Sequence, residues 1–160
     1  MLSDDLIGRA WGSEAFEIAP AEAEPGQDQV LRSTGVVALI GVAVIHFAQV
    51  VPTIHQTAWL GWAFVLLSVA CVAVAGQLVY RGTVWTWAQV GALNLLIIGG
   101  FAFTRLFSTA FDNQDVGNWS ETLGMAALFV EGVLVLASAY AITVRRLAKP
   151  GGTLIPIDRP

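Results

Sequence analysis

Five ionisable side chains interrupt otherwise apolar sequence, and with them this chain can do chemistry: His46, His55, Arg105, Glu121 and Glu131. His46 and His55 flank Pro52. If the chain reverses between them, both imidazoles can face one pocket. Two imidazoles with a carboxylate from Glu121 or Glu131 suit a divalent first-row metal such as copper or zinc. Two imidazoles also suit the axial positions of one haem, although His55 stands close to the end of its apolar stretch for a buried haem. The competing reading is that each histidine only hydrogen-bonds a neighbour. No H-x-x-x-H, C-x-x-C or methionine cluster accompanies them, and the single cysteine, Cys71, cannot close an internal disulfide.

Arg105 and the glutamates form a second set. A guanidinium at the end of an apolar stretch either reaches out to water or pairs with an acid. Glu121 opens the next stretch at similar depth and is the expected partner. Glu131 lies deeper, where a charged carboxylate is costly unless a cation or a donor compensates it. His46, Arg105 and Asn94 are the candidates. Two readings stay open for Glu131: a hydrogen-bonded group that joins helices, or a group that binds a proton or a ligand.

The elements that carry these residues are four apolar stretches, at about 34–51, 58–80, 84–107 and 121–144. Each has the length an α-helix needs to cross about 30 Å of hydrocarbon. The chain is 56% hydrophobic and only 12% charged, about half the charge of a soluble domain. Strict alternation is absent, which argues against a β-barrel. The expectation is an all-α, four-helix transmembrane bundle of up-down topology spanning 33–146, with short turns making neighbours antiparallel. Residues 1–32 read as an acidic tail with a possible short surface helix near Trp11, broken by Pro20, Pro25 and Gly26. Residues 147–160 read as a C-terminal tail. No basic segment followed by an apolar core opens the chain, so the first stretch is expected to insert as its own signal.

Lysine and arginine fall at both ends of the bundle and at Arg81, whereas the segment around His55 has none and the segment holding Asp112 and Asp115 is acidic. By the positive-inside rule both termini face the cytoplasm, in a cell's inner (plasma) membrane. The net charge of −4 leaves no basic surface for nucleic acid.

At 100° per residue the polar groups fall on one stripe per helix. These are Gly35, Leu39, Val42, His46 and Gln49; then His55, Trp59, Trp62, Leu66 and Gln77; then Gly91, Asn94, Ile98 and Arg105; then Glu121, Gly124, Leu128 and Glu131. All four stripes are expected to face a common interior. His46, His55, Arg105, Glu121 and Glu131 then form a pocket in the outer half, with His46, His55 and Glu131 as the metal set. Asn94, Gln77, Trp59 and Trp62 are the structural polar positions. Trp85, Trp87 and Trp119, with Trp59 and Trp62, are expected in the interfacial aromatic belt.

The pattern of His46, Phe47, Pro52, His55, Trp59 and Trp62, then Asn94, Thr104 and Arg105, then Glu121 and Glu131 resembles small four-helix integral membrane proteins of actinobacteria. The resemblance covers about residues 36–145 and implies a shared outer pocket, with no activity attached.

Several classes are excluded. A retinal protein needs a lysine within a helix, and the only lysine is Lys149. A two-haem b-type cytochrome needs four axial histidines, and there are two. No nucleotide loop or HExxH is present, and no nucleophile–base pair is legible. Two functions remain. One is a non-enzymatic accessory or assembly subunit of a larger membrane complex, in contact with the lipid bilayer and other membrane-protein subunits. The alternative is a binding protein whose outer pocket holds a metal ion, haem, quinone or proton.

Overall fold

The structure, a computed structural model, describes residues 25–108 and 116–147. Within them lie four helices: α1 Pro25–Gln56, α2 Ala58–Tyr80, α3 Val84–Leu106 and α4 Thr122–Leu147. All four are long and apolar enough to cross a membrane, as a multi-pass membrane protein requires. The expected N-terminal surface helix, the acidic positions Asp112 and Asp115, and the C-terminal tail from 148 onward lie outside the described residues.

The first helix departs most from expectation. It runs 32 residues, about 48 Å at 1.5 Å per residue, rather than ending near residue 51. At its start stands Pro25, whose missing N–H costs nothing in a first helical turn. The same proline had read as a breaker. At its other end α1 continues through Pro52 to Gln56, so the segment expected to be a loop is helical and only Thr57 separates α1 from α2. Asp28 and Arg32 therefore belong to the bundle and not to a tail.

Neighbouring helices are antiparallel. The contacts run α1 to α2, α3 to α4 and, less extensively, α1 to α4, while α2 and α3 barely touch. Small residues permit the close seams. Along α4 the buried side is Gly124, Ala127, Glu131, Leu134, Ser138 and Ala141, a regular three-and-four spacing. Along α2 it is Gly61, Ser68, Cys71, Ala75 and Leu78. The Ser68 hydroxyl lies 3.1 Å from the Ala43 carbonyl of α1 and 2.8 Å from Phe64 of its own helix.

The solid part of the core is at the α2–α3 turn end, where Leu39, Val42, Cys71, Leu78, Trp87, Val90 and Leu134 are all but fully buried. A polar clamp closes that end. The Arg32 guanidinium donates to the carbonyls of Leu78 and Val79, the last turn of α2, where a cation also suits the helix dipole. Asp28 accepts from Arg145 of α4 and stands 3.9 Å from Arg32, and the Arg145 guanidinium lies over the Trp87 ring at 5.7 Å. Trp87 is thus fully buried and not in the interfacial belt. It fills the space left opposite Gly35.

At the opposite end, the one-residue link draws α2 hard against α1. A Cβ on Gly61 would sit 2.6 Å from Ile54 Cβ and 2.7 Å from its Cα, and backbone cannot yield there. Replacing Gly61 by alanine is expected to destabilise the bundle by about 1–3 kcal/mol through overpacking. Gly41→Ala, which meets nothing within 4 Å, is the control expected to hold the parent's value. Thermal unfolding of both variants in mild detergent checks this.

Candidate functional site

Because α2 and α3 part company, the half of the bundle at the α1–α2 link is hollow. A cavity of about 1130 Å³ lies there, lined by the end of α1, the first part of α2, the second part of α3 and the first part of α4. That volume lies just above the usual range of small-molecule sites, about 300–1,000 Å³. Two adjacent glycines of α3, Gly99 and Gly100, line it and have nothing within 4 Å of where a Cβ would be. Their missing side chains leave the α2–α3 seam open. Trp59 and Leu66 of α2 and Leu95, Leu96 and Phe103 of α3 line the cavity and remain largely exposed, and α2 and α3 barely touch. The cavity therefore opens sideways, between α2 and α3, through an apolar portal.

Its polar floor is His46 and Glu131, whose side chains are 7% and 1% exposed. Val42, one turn earlier, accepts a hydrogen bond from His46 Nδ1 at 2.9 Å. A ring nitrogen facing a carbonyl must carry its hydrogen, which fixes Nδ1 as the donor. The other nitrogen, Nε2, faces Glu131 Oε1 at 3.8 Å, too far for a direct hydrogen bond. Among the described residues Glu131 Oε1 has no hydrogen-bond partner. Phe64 packs edge-on against the imidazole, with centroids 5.4 Å apart, and holds the ring in place.

At the cavity rim stand Arg105 and Glu121. Arg105 Nη2 donates to Glu121 Oε2 at 2.7 Å and Nη1 to Thr104 Oγ1 at 3.3 Å. The guanidinium lies 4.6 Å from the centre of the Phe101 ring, a cation–π contact. With 4% of its side chain exposed against 34% for Glu121, Arg105 is the desolvated member of the pair. Its backbone carbonyl accepts from Gly117 N–H at 3.0 Å, tying the α3–α4 connection to the end of α3.

Of the five residues expected in one pocket, the structure gathers His46, Arg105, Glu121 and Glu131 around the cavity and leaves out His55, which is exposed and does not line it. The metal set of His46, His55 and Glu131 is not assembled. Among the described residues no group of three or more His, Cys, Asp or Glu is placed to hold a metal ion, and a haem with both histidines as axial ligands is equally out of reach. On α2, the stripe expected to face inward turns outward. Trp62 is 60% exposed, Gln77 is exposed, and only Trp59 and Leu66 of that stripe edge the cavity. The reason is the link at Thr57: the Ile54–Gly61 contact sets the rotation of α2, and its small residues, not its polar ones, take the interior. Asn94 is fully buried as expected; its Nδ2 donates to Val90 at 2.8 Å and its Oδ1 is without a partner among the described residues. Sequence reasoning missed the Gly99–Gly100 pair, which a search for adjacent glycines in mid-helix would have flagged.

Comparison with protein-family models, with curated proteins and with solved structures gives no match for this chain.

Two outcomes follow. Glu131→Gln keeps the size and hydrogen-bonding capacity of the side chain and is expected to accumulate like the parent. Glu131→Lys places an ammonium in a buried site beside His46 and is expected to be depleted in the membrane fraction. Arg105→Ala is expected to cost about 2 kcal/mol, less than a fully buried pair because Glu121 is one-third exposed. Arg105→Lys should recover little, since lysine lacks the planar fork. Membrane-fraction abundance and detergent unfolding midpoints measure both.

Proposed function

We propose that this protein is a non-enzymatic membrane binding protein whose cavity takes a lipid-soluble organic molecule from the surrounding bilayer. One observation carries the reading: a large apolar cavity, open sideways between α2 and α3, ends on the buried pair His46 and Glu131. Apolar walls with a few convergent polar groups are the usual make-up of a small-molecule site. An ionisable pair at that depth is expensive and is the default mark of function in a membrane bundle.

Of the ligands the sequence left open, a metal ion or haem loses support with His55 outside the cavity. A quinone-like molecule keeps it, because the portal faces where hydrocarbon would be. A proton shared between His46 and Glu131 is compatible with such a ligand. The second reading is an accessory or assembly subunit of a larger complex. Among the described residues, exposed large apolar side chains occur on all four helices, as lipid contact requires, and are not gathered on one of them. That reading therefore takes second place. Both readings keep the expected topology, with the termini cytoplasmic and the cavity in the outer half of a bacterial plasma membrane.

The test fills the cavity without touching its polar floor. Purified protein is expected to bind an apolar fluorescent probe with saturation, and Gly100→Leu, projecting into open space beside the portal, is expected to weaken that binding at least tenfold while leaving the unfolding midpoint unchanged. Equal binding by parent and variant overturns the assignment of the cavity as the site. A stable partner that co-purifies in mild detergent, with no probe bound, would favour the subunit reading instead.

A further inference from the structure

The polar floor narrows the ligand further. We infer that the His46–Glu131 pair is built to hold a hydroxyl group, an alcohol or phenol carried on an apolar body, and that this hydroxyl bridges His46 Nε2 and a Glu131 carboxyl oxygen. The inference rests on the cavity being the binding site and names the chemistry of what it takes.

The spacing of the pair leaves room for such a group. Nε2 and Oε1 are 3.8 Å apart. That gap is too wide for one hydrogen bond, and an oxygen set to one side of the line joining the two atoms reaches each at about 2.8 Å, with an angle of about 85° at the oxygen. The hydrogens available at the pair point the same way. His46 Nδ1 spends its hydrogen on the Val42 carbonyl, which leaves Nε2 to serve the cavity. If the carboxyl is neutral, its O–H is the single hydrogen between the two side chains. If the imidazole is charged, its Nε2–H is that hydrogen. In either state one member gives and the other takes. The third state, neutral imidazole with carboxylate, sets two acceptors against each other around an uncompensated buried charge.

A hydroxyl both gives and takes. It accepts from whichever member carries the hydrogen and donates to the other, so the chain closes in both allowed states. A carbonyl or ether oxygen only accepts, and the second member would stay unpaired. Water has the same capacity, but it accounts for neither the apolar walls nor a portal edged by Leu66, Leu95 and Leu96. The hydroxyl is therefore expected to arrive on an apolar carrier, with its body along the α2–α3 opening.

The experiment compares 4-octylphenol with its methyl ether, 4-octylanisole, which differ at that oxygen. Binding to the purified full-length protein is measured by displacement of the apolar fluorescent probe, with both compounds at matched concentrations in the detergent phase. The expected result is roughly tenfold tighter binding of the phenol, the scale of one satisfied buried hydrogen bond. His46→Phe and Glu131→Leu are expected to bring the two affinities within twofold by weakening only the phenol. Glu131→Gln, which still gives and takes, should keep most of the preference. Equal affinity of the parent for phenol and ether overturns the inference while leaving the cavity as a binding site; the pair would then hold water only. Failure of both compounds to displace the probe overturns the binding reading itself. Should the apolar variants fail to accumulate, the parent's phenol-to-ether ratio decides alone.

Discussion

Charged and hydroxyl groups carried on apolar helices have to be satisfied by one another, and this constraint shapes both ends of the bundle, although Trp87 Nε1 and Asn94 Oδ1 lack partners among the described residues. Water is not at hand in hydrocarbon to solvate an unpaired donor or charge. At one end Asp28 joins Arg32 and Arg145, so that α1, α2 and α4 are tied by a carboxylate and two guanidiniums. At the other, Arg105 finds Glu121 across the α3–α4 connection. Between them Ser68, Ser138 and Asn94 turn their donors back onto helix carbonyls. Glu131 is different, because its Oε1 reaches only to within 3.8 Å of His46. Asp28 stands as far from Arg32 but has Arg145 to donate to it, whereas Glu131 Oε1, buried at a cavity floor, has no donor among the described residues, which points to something that completes it.

The cavity and the clamp are two sides of one packing solution. Large side chains are concentrated at the α2–α3 turn end, where Trp87 and Leu78 fill the space facing Gly35. The opposite end is held by its perimeter: the Thr57 link, the Ile54–Gly61 contact and the Arg105–Glu121 pair. With the perimeter fixed there, α2 and α3 need not touch, and Gly99 and Gly100 leave the gap unfilled. Hollowing a bundle forfeits dispersion contacts. Here that loss falls on the half where the Thr57 link, the Ile54–Gly61 contact and the Arg105–Glu121 pair supply the restraint.

Legibility varied from helix to helix for physical reasons. For α2 the apolar stretch and the helix coincide, Ala58–Tyr80, because its ends are marked by Thr57 and by the polar turn at Arg81. The α1 ends were missed because proline reads as a breaker in either place, yet it is tolerated in a first turn and inside apolar helices. The inward stripes of α1, α3 and α4 were legible because a buried ionisable group fixes the face of its helix: His46, Arg105 and Glu131 all point in. On α2 no such group lies at depth. His55 proves to belong to α1, and Gln77 sits near the helix end and reaches the surface.

By itself the sequence determined four helices, their order, their antiparallel neighbours and the Arg105–Glu121 pair, since length, apolarity and the cost of unpaired charge are local properties of a segment. The tertiary structure alone decided the rotation of α2, the burial of Trp87, the exclusion of His55 and the existence of the cavity. Those depend on which surfaces meet, and a contact such as Ile54 against Gly61 leaves no periodic trace in either helix. A void is the extreme case, being made of side chains that are not there.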